Sequence, residues 1–231
     1  MKAIILCAGV GQRLGIDKPK CLLEFNNIPL IQYQLRKLNN FCSEIIVVTG
    51  YEEQKIKEVV DSISHNYCLF NTYVHNPFFR VTNTLASLIL AIDKIKNSEK
   101  EEILIINGDV LFEPKLINKI NNINGDVFAI QKMPEFSLEE VKEKKENNKI
   151  KNIGKWVKSN YEAIGVYKLS YDTAMEVYNV AQYMTNFHKN YYEDAFDKVN
   201  LEANYINTKA VEIDFPEDLK IAHKFYKEVM K

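Results

Sequence analysis

The chain lacks any surplus of basic charge. Thirty Lys and Arg face thirty-one Asp and Glu for a formal charge of −1, and only Arg13, Arg36 and Arg80 are arginines. Nucleic-acid binding by counterion release needs a basic patch or stripe, so no DNA or RNA partner is expected. No apolar run approaches the ~20 residues of a membrane span, so no membrane partner is expected either. The opening Met1-Lys2 and the short apolar run Ala3 to Cys7 lead into Gly9, Gly11 and Arg13 with no A-x-A pattern, unlike a signal peptide. Cysteine is scarce: Cys7, Cys21, Cys42 and Cys68 form no C-x-x-C pair and have no histidine at metal-ligand spacing. They read as buried reduced thiols of a cytoplasmic protein. Internal repeats, low-complexity tracts and Gly/Ser linkers are also absent, so the 231 residues are expected to form one domain, 1–231. A chain of this length buries roughly three-quarters of its unfolded surface and needs no disulfide to fold.

What is present alternates between two patterns. Ala3 to Leu6 is a continuous apolar run, as in a strand buried on both faces. Pro29 opens a helical spacing over Leu30, Ile31, Tyr33, Gln34, Leu35 and Leu38. Strands are predicted at 44–49, 68–74 and 103–106, and helices at 52–63 and 83–95. This β-α rhythm predicts an α/β fold with a parallel sheet covered on both sides. The second half is less regular. Strands are predicted at 126–131, 150–153 and 161–167, with helices at 170–181, 192–201 and 216–230. The charged stretch 138–148 reads as a solvated helix or loop.

The most informative stretch is Leu6 to Leu23, L-C-A-G-V-G-Q-R-L-G-I-D-K-P-K-C-L-L. In open α/β sheets ligands bind beyond the carboxyl ends of strands, and Gly9 and Gly11 let the backbone approach an anion closely. Arg13 and Lys20 add positive charge. A dinucleotide fingerprint would need glycine where Leu14 stands, and a P-loop would need G-K-[ST] where Ile16 and Asp17 stand. Neither motif is present.

Ala8-Gly9-Val10-Gly11-Gln12-Arg13-Leu14 with Pro19-Lys20-Cys21-Leu22, then Asn107-Gly108-Asp109, then Glu212-Ile213-Asp214-Phe215-Pro216 resemble, in order, the motifs of the sugar-phosphate nucleotidylyltransferase superfamily. The short spacer between Arg13 and Pro19 is similar to the phosphocholine and phosphoglutamine cytidylyltransferase branch. The resemblance implies a three-layer Rossmann-like nucleotidyltransferase fold on a mixed, mostly parallel sheet. Within it, 1–125 would form the nucleotide-binding half and 126–231 the acceptor-binding half. It implies Mg²⁺-dependent transfer of CMP from CTP to a small phosphorylated acceptor, giving a product suited to surface polysaccharide decoration. The acceptor phosphate attacks in line and pyrophosphate leaves, so the protein supplies alignment and charge stabilisation rather than a nucleophile.

By the same resemblance Arg13 and Lys20 are the catalytic cations, and Asp109 and Asp214 hold Mg²⁺, a hard cation suited to carboxylate oxygen. The alternatives are a turn role for Asp109 and a helix cap for Asp214. Leu6, Ala8, Gly9, Gly11, Asn83 and Ser87 are placed at the nucleotide; Asn83 is also positioned to cap its helix. Tyr192 and Asp194 are placed at the acceptor, with Lys155 and Trp156 as walls. A carboxylate beside an aromatic ring suits an ammonium head group, although acidic residues in a first helical turn are also ordinary dipole partners. Competing readings are a sugar-1-phosphate nucleotidylyltransferase using another triphosphate, a glycosyltransferase, whose D-x-D motif is missing at Asn107-Gly108-Asp109, and a non-catalytic nucleotide-binding module.

Overall fold

The computed structural model describes residues 1–67, 70–132, 142–146, 149–155, 157–199 and 201–229. The chain opens with β1 (Lys2–Leu6), a hairpin of β2 (Glu24–Phe25) and β3 (Ile28–Pro29), and α1 (Leu30–Leu38). It continues with β4 (Glu44–Thr49), α2 (Glu53–Tyr67), β5 (Asn71–His75) and α3 (Thr84–Ile95). Next come β6 (Ile103–Asn107), β7 (Val110–Phe112), α4 (Leu116–Asn121) and β8 (Val127–Lys132). The remainder is β9 (Lys142–Glu146), β10 (Lys149–Gly154), β11 (Tyr161–Leu169), α5 (Tyr171–Ala181), α6 (Tyr192–Phe196), β12 (Asn204–Asn207), β13 (Ala210–Glu212) and α7 (Pro216–Val229).

Nine strands form one mixed sheet ordered β10-β9-β11-β6-β1-β4-β5, with β8 on β11 and β12 on β8. Its centre is parallel: β1 lies between β4 and β6 in matching register, Ile4 opposite Ile46 on one side and Ile105 on the other. Both faces of these strands are buried, which is why they read as unbroken apolar runs. Alternate side chains enter separate cores. Ala3, Ile5, Val47, Leu104 and Ile106 pack with α1, α2, α4 and α7; Ile4, Ile46, Val48 and Ile105 pack with α3, α5 and α6. The architecture is the three-layer Rossmann-like arrangement read from the sequence. No helix among the described residues is long and apolar enough to cross a membrane.

Three expectations need correction. Lys142–Glu146, read as solvated helix or loop, is β9, paired antiparallel with β10, and Lys142 is buried. Charge density hid the strand, because a buried lysine stem contributes apolar contact that composition does not register. The remaining residues of that stretch, 138–141 and 147–148, lie outside the described residues, as does Cys68. The helix expected to reach residue 201 ends at Phe196, and α2 runs on to Tyr67, delaying β5 to Asn71.

Candidate active site

The carboxyl ends of β1 and β6 open onto a cavity of about 1310 Å³. The chain leaves β1 through Gly9 and Gly11 and makes a single 3₁₀ turn at Gln12–Leu14. Gly11 has φ +68°, and a Cβ there would sit 3.1 Å from Lys20 Cγ, so glycine permits both the left-handed turn and the approach of Lys20. Lys20 stands on a second 3₁₀ turn, Lys20–Leu22.

A small ribbon brings the distant carboxylates together. β13 pairs antiparallel with β7, Glu212 opposite Val110, and the Ile213 N–H donates to the Asp109 carbonyl at 3.1 Å. Asp109 and Asp214 therefore emerge side by side. Lys20 Nζ donates to Asp109 Oδ2 at 2.9 Å and also to Asp214 Oδ1, while Arg13 reaches Asp214 Oδ2 at 2.9 Å. Burial opposes the Lys20 charge, but the two carboxylates outweigh it and hold its pKa above the ordinary value. The Asn107-Gly108-Asp109 turn is braced from below by fully buried Gln34, whose Nε2 donates to the carbonyls of Asn107 and Val110 at 2.9 Å each. The helix-capping alternative for Asp214 does not describe this geometry. Asp218 takes that part, accepting the N–H groups of Asp214 and Phe215.

The two aspartates make an oxygen-rich, electronegative corner, and no cluster of three or more metal-ligating side chains lies among the described residues. An ammonium bridges the two aspartates, so the corner accommodates positive charge, and two carboxylates are the kind of oxygen donor a hard cation takes.

Beside β1, Leu6, Ala8 and Gly9 line the cavity together with Asn83 and Ser87 at the start of α3. Asn83 does not cap that helix through its side chain; its Nδ2 donates to the Lys189 carbonyl at 2.6 Å, tying α3 to the segment before α6. Ser87 is buried and accepts from Asn76 Nδ2 at 3.0 Å.

The cavity is also lined by Lys155, Tyr191, Tyr192, Glu193, Glu162 and Gln131, with the Tyr192 N–H donating to Thr84 Oγ1 at 3.2 Å at the start of α3. Tyr192 is fully buried and donates its hydroxyl to Asn107 Oδ1 at 2.8 Å. Asp194 does not line the cavity. Its Oδ2 accepts the Tyr191 N–H at 2.8 Å, satisfying a free amide at the start of α6. The preceding residue, Glu193, lines the cavity instead and is 6 % exposed. Asp194 stands three residues after the N-cap Tyr191, which is the signal that it would turn back onto the backbone. Burial raises the Glu193 carboxyl to about 7 despite hydrogen bonds from its own backbone and from Tyr167 Oη, the latter 3.2 Å long. Lys155 Nζ lies 4.7 Å from the Tyr191 ring centre. Trp156 lies outside the described residues.

Fold and site define a nucleoside-triphosphate-dependent transferase, and the chain belongs to the family of MobA-like NTP transferase domains, which matches residues 3–131. It is a nucleotidyltransferase enzyme. CTP:phosphoglutamine cytidylyltransferase of Campylobacter jejuni subsp. jejuni serotype O:2 is 28% identical over 242 residues, covering 93% of each chain. Choline-phosphate cytidylyltransferase of Streptococcus pneumoniae is 36% identical over 102 residues, 42% of each chain. Among solved structures, the inositol-1-phosphate CTP transferase of T. maritima superimposes with TM-score 0.78 at 20% identity, covering 98% of this chain and 95% of that one.

Proposed function

We propose that this single-domain enzyme is a CTP-dependent cytidylyltransferase acting on a phosphorylated small molecule that carries an amino or ammonium group. The observation that carries the acceptor reading is Glu193, a buried carboxylate lining the cavity with its proton affinity raised by that burial. A cationic head group beside it would offset the desolvation that a neutral polyol leaves in place. Lys155, against the neighbouring Tyr191 ring, suits an acceptor that also bears a carboxylate. The relatives named for phosphoglutamine and choline-phosphate support this class.

In this reading Ala8, Gly9, Asn83 and Ser87 hold the nucleotide, and Leu6 and Gly11 complete that wall. Arg13 and Lys20 face the phosphates. Asp109 and Asp214 would hold Mg²⁺, which when bound supplies positive charge against the triphosphate. The acceptor phosphate oxygen forms a bond to the α-phosphorus while the bond to pyrophosphate breaks. No side chain need become covalently attached, because the attacking oxygen is already anionic. The protein's contribution is to cancel the repulsion between two anions and to hold them in line. The test is a pyrophosphate-release screen of four nucleoside triphosphates against phosphocholine, phosphoglutamine, inositol 1-phosphate and a hexose 1-phosphate. Release confined to CTP with the amine-bearing acceptors is expected; release with UTP and a hexose phosphate overturns the reading.

A further inference from the structure

Four cationic side chains line the cavity among the described residues: Arg13, Lys20, Arg80 and Lys155. Arg13 and Lys20 are engaged by the aspartates, and Lys155 lies over Tyr191. Arg80 stands apart, on the turn between β5 and α3. Among the described residues its guanidinium has no carboxylate partner, and it rests 5.2 Å from the centre of the Phe79 ring.

That turn is held in a fixed shape although much of it is exposed. Asn76, 1% exposed, donates its N–H to the Thr49 carbonyl at 2.8 Å and accepts the Phe78 N–H on Oδ1 at 2.9 Å. Its Nδ2 donates to Thr82 Oγ1 and Ser87 Oγ at 3.0 Å each. Thr82 returns both its N–H and its hydroxyl to the Phe78 carbonyl, at 3.1 and 2.9 Å. Phe79 is wedged against Gly50, where a Cβ would fall 2.7 Å from Phe79 Cβ and 2.6 Å from the Ala8 carbonyl oxygen. Arg80 is thereby fixed relative to Ala8 and Ser87, the wall assigned to the nucleotide.

We propose that Arg80 determines base specificity by donating a pair of hydrogen bonds to adjacent acceptors, N3 and O2, on the edge of cytosine. The proposal rests on the cytidylyltransferase reading and deepens it. A guanidinium offers donors only, in a fixed fork. Cytosine presents two neighbouring acceptors to such a fork. Uracil and thymine carry an N–H at position 3 and would set donor against donor. The contact with the Phe79 ring restrains the guanidinium, so the fork loses less freedom when the base arrives.

The experiment measures kcat/KM for CTP and UTP, with a saturating acceptor, in the wild type, Arg80→Ala and Arg80→Lys. A bidentate contact of this kind discriminates by about ten- to a hundredfold, and its position on the open rim favours the lower figure. We expect the CTP-to-UTP ratio to fall about tenfold in Arg80→Ala, mainly through the KM for CTP. Arg80→Lys keeps the charge but not the fork and should discriminate as poorly as the alanine variant. An unchanged ratio, or an equal rise in KM for both nucleotides, would overturn the assignment and leave Arg80 as a general anion contact. A wild type that uses UTP as well as CTP would instead defeat the cytidylyltransferase reading itself.

Discussion

Replacing Lys20 by methionine keeps the length of the stem and removes the charge that bridges Asp109 and Asp214. The lysine side chain is 13% exposed and its partners 22% and 24%. One such pair at 2.9 Å is worth at most about 6 kcal/mol at an effective dielectric of 20, before desolvation is subtracted. Removing one partner of a buried pair costs about 3–5 kcal/mol, and the partial exposure of the aspartates lowers this to roughly 2 kcal/mol. For 231 residues, 1 kcal/mol corresponds to about 2 °C in Tm, so Lys20→Met should melt about 4 °C lower. The same change leaves two carboxylates facing each other. Magnesium added without nucleotide should therefore raise the Tm of the variant more than that of the wild type. Differential scanning calorimetry across a magnesium titration reads both effects, and pyrophosphate release should fall at least about a hundredfold, of the order expected when a charge-stabilising donor is lost. A variant with unchanged Tm, the same magnesium response and near-wild-type turnover would refute the reasoning.

Asp109→Asn and Asp214→Asn keep side-chain shape but weaken oxygen ligation of Mg²⁺; each should abolish magnesium-dependent turnover, checked by titrating the metal against initial rate. Asp194→Ala should cost about 1 kcal/mol in urea unfolding through the exposed amide of α6 and leave the acceptor KM unchanged. Glu193 binds its proton more tightly in the folded chain, about 7 against 4.5. The folded state therefore holds a proton that the unfolded state has released across that window. Stability should decline as pH rises through it, by roughly 3 kcal/mol in total, and Glu193→Gln should flatten the slope of urea midpoint against pH.

The parallel core was legible because strands buried on both faces leave continuous apolar runs, as at Ala3–Leu6 and Glu44–Thr49. The charged corner was legible too: Arg13, Lys20, Asp109 and Asp214 lie in three short motifs, and the structure brings all four into contact. The ribbon that joins them was not legible, since β7 and β13 are three residues each and their pairing is a long-range event. Gln34 falls within an apolar helical pattern, and only the tertiary fold reveals that its amide braces the Asn107–Val110 turn. The different placement of Asp194 has a local cause. Asp194 and Glu193 are adjacent acids in one first turn, and only the place of the N-cap at Tyr191 tells which satisfies the backbone and which faces the cavity. Arg80 escaped notice because its turn carries no recognisable motif; what marks it is a hydrogen-bonded frame built around Asn76.

The central claim is that Glu193 in the cavity wall selects positive charge on the acceptor. It is tested most directly by the kcat/KM ratio between phosphocholine and inositol 1-phosphate, measured with CTP and magnesium by pyrophosphate release in the wild type and in Glu193→Gln. A cation–π or ion-pair contact in a partly desolvated pocket contributes about 1–2 kcal/mol, so the wild type should favour the cationic acceptor about tenfold. The glutamine variant should lose most of that preference while its KM for CTP stays the same. A wild type that prefers inositol 1-phosphate, with a ratio unmoved by Glu193→Gln, would contradict the account.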